Sequence, residues 1–81
     1  MTKSVFTDNY TTFLKILVRS RKAVGMTQTE LANKIKENQS YISKYENGER
    51  RLDVIEFIEI AKALGVDPLR VIDELVGNWK K

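Results

Sequence analysis

The chain has 81 residues, 42% of them hydrophobic, and a net charge of +3, so we expect one small domain spanning residues 1–81 with no room for a second core. It contains no cysteine and no histidine, which excludes disulfides and removes the most common general base and metal ligand, so we expect no catalytic residue, no metal and no cofactor. The first residues lack the apolar run of a signal peptide, and no apolar stretch approaches the ~20 residues of a membrane span, so we expect a cytoplasmic protein without a membrane partner.

The first two predicted helices have clear ends. Apolar spacing predicts a helix from about Tyr10 to Val24 that stops at Gly25. The second opens with a capping box, in which Thr27 caps the amide of Glu30 and Glu30 reaches back. It ends near Lys36.

Three more helices follow. The third starts at the Asn38 cap, runs to about Tyr45 or Glu46 and leaves through Asn47-Gly48. The fourth opens with Asp53-Val54-Ile55-Glu56, a second start of the capping-box kind, and stops at Gly65. The fifth begins with an Asp67 cap followed by Pro68. The side chains expected to face the core are Phe13, Leu14, Leu17, Val18, Arg21, Leu31, Ala32, Ile35, Val54, Phe57, Ile58, Ala61, Leu64, Leu69 and Ile72, with Leu75 as a further candidate.

The second and third helices form a recognisable unit. Both are short, and the connection between them is Lys36-Glu37-Asn38. This is typical of a helix-turn-helix, in which the second helix enters the major groove of DNA and the first lies across the backbone. With short connections throughout, the sequence predicts a compact all-α bundle of five helices.

The third helix has a polar face without any acid. At ~100° per residue, five polar residues lie within an arc of about 140°. This polar arc consists of Gln39, Ser40, Ser43, Lys44 and Asn47. Tyr41 borders it, Ile42 and Tyr45 lie on the opposite face, and Glu46 lies outside it. Such a face suits a DNA duplex, because an acid there would be repelled by phosphates.

Basic and acidic side chains are distributed unequally along the chain. Residues 15–51 carry nine basic and four acidic side chains, whereas residues 52–79 carry two basic and six acidic ones. Either one face binds a polyanion, or these are ordinary solvated charges.

Three blocks of sequence carry a family resemblance. They are MTQTELA at residues 26–32, QSYISKYENGER at residues 39–50 and IAKALGVD at residues 60–67. The stretch 21–69 that contains them resembles the lambda Cro and repressor type of helix-turn-helix, the XRE family. The resemblance implies a lambda-repressor-like domain with its helix-turn-helix core at about residues 15–70, a short N-terminal arm and a C-terminal tail.

The resemblance also implies roles for single residues. It pairs Arg21 with Glu46 in an internal ion pair that ties the first helix to the end of the third, although Arg21 could also touch a phosphate. It places Gln39 against a base, and it places Asn47 and the pair Arg50-Arg51 against the DNA backbone. Solubility is the alternative role for the two arginines.

Side-chain chemistry suggests further contacts. The Gln39 amide can pair with adenine N6 and N7, Lys44 suits guanine or a phosphate, and Ser40 is another base-edge candidate. Tyr41 contacts a thymine methyl or a phosphate, or packs partly into the core. Gln28 opens the second helix, where its amide and unpaired backbone N–H groups can meet a phosphate. Gln39 and Lys44 could instead be merely solvated. The complete set expected to bind DNA is Gln28, Asn38, Gln39, Ser40, Tyr41, Ser43, Lys44, Asn47, Arg50 and Arg51.

Two residues of the turn depart from the family pattern. Lys36 stands where the family usually has glycine, so either it adopts a left-handed conformation or the turn is built differently. Glu37 stands where an apolar residue is usual; it complements the helix N-terminus but would repel a close phosphate.

These features predict a sequence-specific transcriptional regulator, of the repressor or controller type, that binds double-stranded DNA. One recognition helix gives little affinity, so we expect a homodimer on a near-palindromic operator. Its interface would involve the fifth helix and Trp79, or the N-terminal Phe6, although Trp79 could instead pack onto the first helix. The alternative function is an antitoxin or other protein-interaction module with the same fold; RNA is disfavoured because a rigid helix fits its deep major groove poorly.

Overall fold

The computed structural model describes residues 7–81, and this part of the chain consists of five α-helices without a strand. The helices are α1 (Asp8–Ala23), α2 (Gln28–Ile35), α3 (Gln39–Glu46), α4 (Val54–Leu64) and α5 (Pro68–Gly77). The predicted all-α fold is therefore confirmed, and α1 begins two residues earlier than the sequence suggested.

The helices begin where side chains can replace missing backbone partners. At each start, a side-chain oxygen accepts a hydrogen bond from a backbone N–H of the first turn. These capping residues are Thr7, Thr27, Asn38, Asp53 and Asp67. At α2 and α4 the residue three positions on, Glu30 or Glu56, reaches back to the cap, so both predicted capping boxes are present.

Four helices are followed by a residue in the left-handed conformation, and one of these four is not glycine. Gly25, Gly48 and Gly65 have φ between 74° and 79°, and Lys36 has φ 60° and ψ 42°. Lys36 thus takes the left-handed conformation at the end of α2, the first of the two alternatives that the sequence left open, and this costs a side-chain-bearing residue about 1–2 kcal/mol. A nearby hydrogen bond offsets this cost, because the turn lets the N–H of Glu37 donate to the Ala32 carbonyl at 2.9 Å.

The core lies around α1, which packs against α3, α4 and α5, while α2 packs against α3 and α4. Its fully buried large side chains are Leu17, Leu31, Ile42, Tyr45 and Ile60. Most predicted core positions are buried or half-buried. None of the helices in the described part of the chain has the length and apolar character needed to cross a bilayer.

The prediction for α5 and for the start of α4 was wrong. Leu69 is 75% exposed, Ile72 39% and Val54 65%, whereas Val71 is buried and Leu75 is partly buried against the core. The cause is the rotation of α5. It packs mainly against α1, so its inward positions are Val71 and Leu75, one helical turn apart.

An apolar stripe therefore remains on the outside of α5. It consists of Leu69, Ile72 and Val76 on the helix and Trp79 just beyond its end, the last two 61% and 57% exposed. The tail behind it is tied to α1, because Asn9 donates to the Lys80 carbonyl at 2.7 Å and accepts from the Lys80 N–H at 2.8 Å. Trp79 also lines a groove of about 280 Å³ with Tyr10, Phe13, Phe57, Ile72 and Leu75. Phe6, the other residue proposed for an interface, lies outside the described residues.

Candidate nucleic-acid interface

The third helix is fixed to the core by one face and open to solvent by the other. Ile42 and Tyr45 are fully buried. Of the polar arc, Gln39, Ser40, Lys44 and Asn47 are exposed and Ser43 is half-buried. The apolar face thus anchors α3 in one orientation, and that orientation directs the polar arc outward.

An ion pair between Arg21 and Glu46 holds the end of α3 against α1. Arg21 Nε lies 2.8 Å from Glu46 Oε2, and Arg21 Nη2 lies 3.0 Å from Glu46 Oε1. Only 10% of the Arg21 side chain and 6% of the Glu46 side chain are exposed. The hydrogen bonds to Glu46 raise the pKa of Arg21 above its ordinary value. Arg21 also donates to the Met26 carbonyl at 2.9 Å, so this arginine is bound within the protein on two sides.

The ion pair extends to the start of α3 through Gln28. Gln28 Nε2 donates to Glu46 Oε1 at 2.9 Å, and Gln28 Oε1 accepts from Gln39 Nε2 at 2.6 Å. A continuous hydrogen-bonded chain therefore runs from buried Arg21 to exposed Gln39. The Gln28 amide, which was expected to meet a phosphate, is hydrogen-bonded within the protein at both ends.

The N-terminus of α3 is organised by its cap. Asn38 Oδ1 accepts from the Tyr41 N–H at 3.1 Å and from the Ser40 hydroxyl at 2.6 Å. The Ser40 oxygen keeps its lone pairs for a further partner. At the other end of the arc, Asn47 Nδ2 lies 3.5 Å from Ser43 Oγ. Within residues 7–81, Lys44 makes no ion pair, and it is exposed, so its charge faces solvent at one edge of the arc.

Tyr41 and Arg50 form a cluster with α4 at the edge of the arc. The Arg50 guanidinium lies 4.5 Å from the centre of the Tyr41 ring and 2.6 Å from Glu56 Oε2. The hydrogen bond from Arg50, followed by the bond from the Asp53 N–H, lowers the pKa of Glu56. Tyr41 is half-buried against the core, so it has the partial packing that the sequence left as one of its alternatives.

Arg51 faces a different neighbour. Its guanidinium lies 4.4 Å from the centre of the Tyr10 ring on α1. The Tyr10 hydroxyl accepts a hydrogen bond from the Leu52 N–H at 3.1 Å. Arg50 and Arg51, adjacent in sequence, are thus stacked on aromatic rings of different helices.

Two partners of the site residues were not predicted from the sequence. Glu56 was recognised only as part of a capping box, yet it also holds Arg50. The link between Gln28 and Glu46 was also missed. The sequence has no local signal for this link, because it joins the first residue of α2 to the last residue of α3.

Comparison with known proteins agrees with this architecture. A family model described as "Helix-turn-helix" matches residues 17–71. The solved structure of an XRE-family like protein from Pseudomonas syringae pv. tomato superposes with a TM-score of 0.85 and 42% identity, covering 89% of this chain and 88% of that one. The restriction-modification controller protein C.AhdI from Aeromonas hydrophila superposes with a TM-score of 0.72 and 26% identity, covering 80% of this chain and 98% of that one.

A relative of known role is similar in sequence. The transcriptional repressor RstR of the cryptic phage CTXphi from Vibrio cholerae is 36% identical over 63 residues, which are 78% of this chain. The match spans about half of the repressor's own length, 53%. The aligned region includes most of the five-helix unit, and the resemblance inferred from the sequence blocks is confirmed. The chain belongs to the helix-turn-helix family, in its XRE type.

Proposed function

We propose that the chain is a sequence-specific DNA-binding transcriptional regulator, of the repressor or controller type, that inserts α3 into the major groove. The observation that carries this proposal is the polar arc, which is acid-free and solvent-facing on a helix whose other face is fully buried. Membership of the family and the chain's similarity to RstR, a transcriptional repressor, support binding rather than catalysis.

In this proposal the arc reads bases from its N-terminal end. Gln39 pairs with adenine, while Ser40 and Lys44 contact neighbouring base edges or a phosphate. The α2 N-terminus at Gln28 and the side chain of Asn47 contact phosphates on either side. Arg50 and Arg51 add positive charge at the rim, where their ring contacts hold the guanidinium groups in place.

Selection from random double-stranded DNA tests the proposal. A motif should be enriched, and affinity should fall as salt rises. Lys44→Ala should reduce the salt slope by about 1 if the lysine meets a phosphate, whereas Lys62→Ala, at an exposed lysine of α4, should leave it unchanged. If no motif is enriched and affinity does not depend on salt, the protein-interaction module becomes the better interpretation.

We further propose that two copies bind a near-palindromic operator through contacts along the apolar stripe of α5. Four large exposed apolar side chains along α5 and the segment just after it are unusual on a monomer surface, and two recognition helices ~34 Å apart fit successive major grooves. Leu69→Glu or Val76→Glu should give a monomer by sedimentation with unchanged helix content. Val24→Glu, at an exposed valine outside the stripe, should leave the dimer intact; a wild-type monomer at all concentrations contradicts the proposal.

A further inference from the structure

We propose that Glu46 is a specificity-positioning residue: through Gln28, it fixes which end of the Gln39 amide is presented to the DNA. Glu46 does not itself reach the polar arc, since 6% of its side chain is exposed. The proposal rests on the proposed function, because it assumes that Gln39 contacts a base.

Glu46 can only accept hydrogen bonds. Its carboxylate is ion-paired with Arg21 through both oxygens, so it has no proton to donate. The end of the Gln28 amide that faces Glu46 must therefore be the NH2 group, as the 2.9 Å contact between Gln28 Nε2 and Glu46 Oε1 has it. This places the carbonyl oxygen of Gln28 on the side of Gln39.

The second step transfers this constraint to α3. A carbonyl oxygen only accepts, so the end of the Gln39 amide that faces Gln28 must be its NH2 group, with Nε2 and Oε1 2.6 Å apart. Gln39 is left with its carbonyl oxygen and its second N–H proton for an outside partner. The buried charge of Glu46 thus sets the polarity of an amide on the protein surface.

This polarity has a base preference. Adenine presents an N6 donor beside the N7 acceptor in the major groove, which matches a carbonyl oxygen beside an N–H. Guanine presents two acceptors, O6 and N7, so the Gln39 oxygen would face another acceptor. A flipped Gln39 amide would lose the match to adenine. The chain of bonds from Glu46 prevents the flip.

Binding measurements on matched operators test the proposal. After selection with the wild-type protein, the base facing Gln39 is identified with Gln39→Ala and changed between adenine and guanine. Glu46→Gln supplies an amide that either donates or accepts, so both orientations of Gln28 become possible. We expect the preference for adenine over guanine to fall about tenfold at this position only, the scale of one bidentate pair.

A second variant separates positioning from folding. Gln28→Met interrupts the chain of bonds while leaving the Arg21–Glu46 contact in place, and it should relax the same base preference. Glu49→Gln makes the same change of charge at an exposed acid beyond α3 and should retain the wild-type preference. If Glu46→Gln and Gln28→Met weaken binding equally for both bases, Glu46 is only structural and the proposal is wrong.

An experiment without DNA tests the orientation of the Gln39 amide independently of the proposed function. Gln28 and Gln39 are the only two glutamines of the chain, so their side-chain NH2 signals can be assigned in a 15N spectrum of the full chain. Both signals should be displaced from free-glutamine positions in the wild-type protein, and Glu46→Gln should move both toward them. An unmoved Gln39 signal overturns the proposal even if DNA binding is established; a moved signal supports the relay even if no DNA motif is found.

Discussion

Removing Glu46 should destabilise the fold more than any surface charge, because it leaves Arg21 charged and nearly buried. Loss of one partner of a buried pair costs about 3–5 kcal/mol. We expect the lower end, about 3 kcal/mol, for Glu46→Ala, since Arg21 keeps its bond to the Met26 carbonyl and 10% of its side chain reaches water. A domain of 81 residues has a total stability of about 4–12 kcal/mol, so the loss is a large fraction of it.

Urea unfolding followed by circular dichroism measures this loss, at one protein concentration because association also stabilises the fold. The melting temperature should fall by roughly 12–24 °C. Glu49→Ala, at an exposed acid, should change stability by no more than about 0.5 kcal/mol. Replacing both partners, as Arg21→Met with Glu46→Leu, should recover most of the loss because no charge is left buried. A Glu46→Ala protein as stable as Glu49→Ala would refute the reasoning.

Three further predictions concern backbone strain and pH. Lys36→Gly should stabilise the protein by about 0.5–1 kcal/mol, as measured by urea unfolding. Glycine removes the free-energy cost of the left-handed conformation but loses more chain entropy on folding. Lys36→Ala should give no such gain. The Tyr45 hydroxyl is buried without a hydrogen-bond partner among the described residues, so Tyr45→Phe should be neutral or stabilising at pH 7. Burial raises the pKa of Tyr45, so the unfolded chain ionises first, and the wild-type protein should lose stability above about pH 10, more steeply than Tyr45→Phe. Arg50 lowers the pKa of Glu56, so the stabilisation from Glu56 is present above the unfolded pKa of about 4.3 and is lost as pH falls through the lower folded pKa. In acid titrations, the stability of Glu56→Gln should therefore fall less steeply with pH than that of the wild-type protein. Equal slopes for the two proteins would contradict the assignment.

The helix ends could be predicted because their signals are local. A cap such as Thr27 bonds to an amide three residues away, and Gly65 needs no distant partner to turn the chain. The left-handed Lys36 was one of two alternatives, and it was suggested by the glycine that the family usually has at this position. These features depend on a few neighbouring residues, which the sequence contains in full.

The inward face of α5 could not be predicted in this way. Its sequence holds two interleaved apolar stripes, one through Val71 and Leu75 and one through Leu69 and Ile72, and both fit helical spacing. The larger stripe is exposed, because packing against α1 decides the rotation of the helix. Periodicity identifies an apolar face but does not say which neighbour covers it.

The candidate site likewise combines features of a single helix with contacts between residues far apart in sequence. The polar arc of α3 followed from spacing alone, since the arc is a property of one helix. The hydrogen bonds of Arg50 with Glu56 and of Gln28 with Glu46 join residues 6 and 18 positions apart in sequence. The first links the α3–α4 connection to α4 and the second links α2 to α3, so both depend on how the elements pack. The family resemblance supplied one such contact, between Arg21 and Glu46, but not its extension to Gln39.

The position of the single tryptophan gives the molecule a built-in optical reporter. Trp79 is the only tryptophan of the chain and stands at the end of the α5 stripe, more than half exposed, while α3 contains none. Its fluorescence should shift to shorter wavelength when a second copy covers the stripe, and it has no indole partner near the polar arc to confuse the signal. Trp79 fluorescence therefore offers a test of the proposed association of two copies in an unlabelled sample.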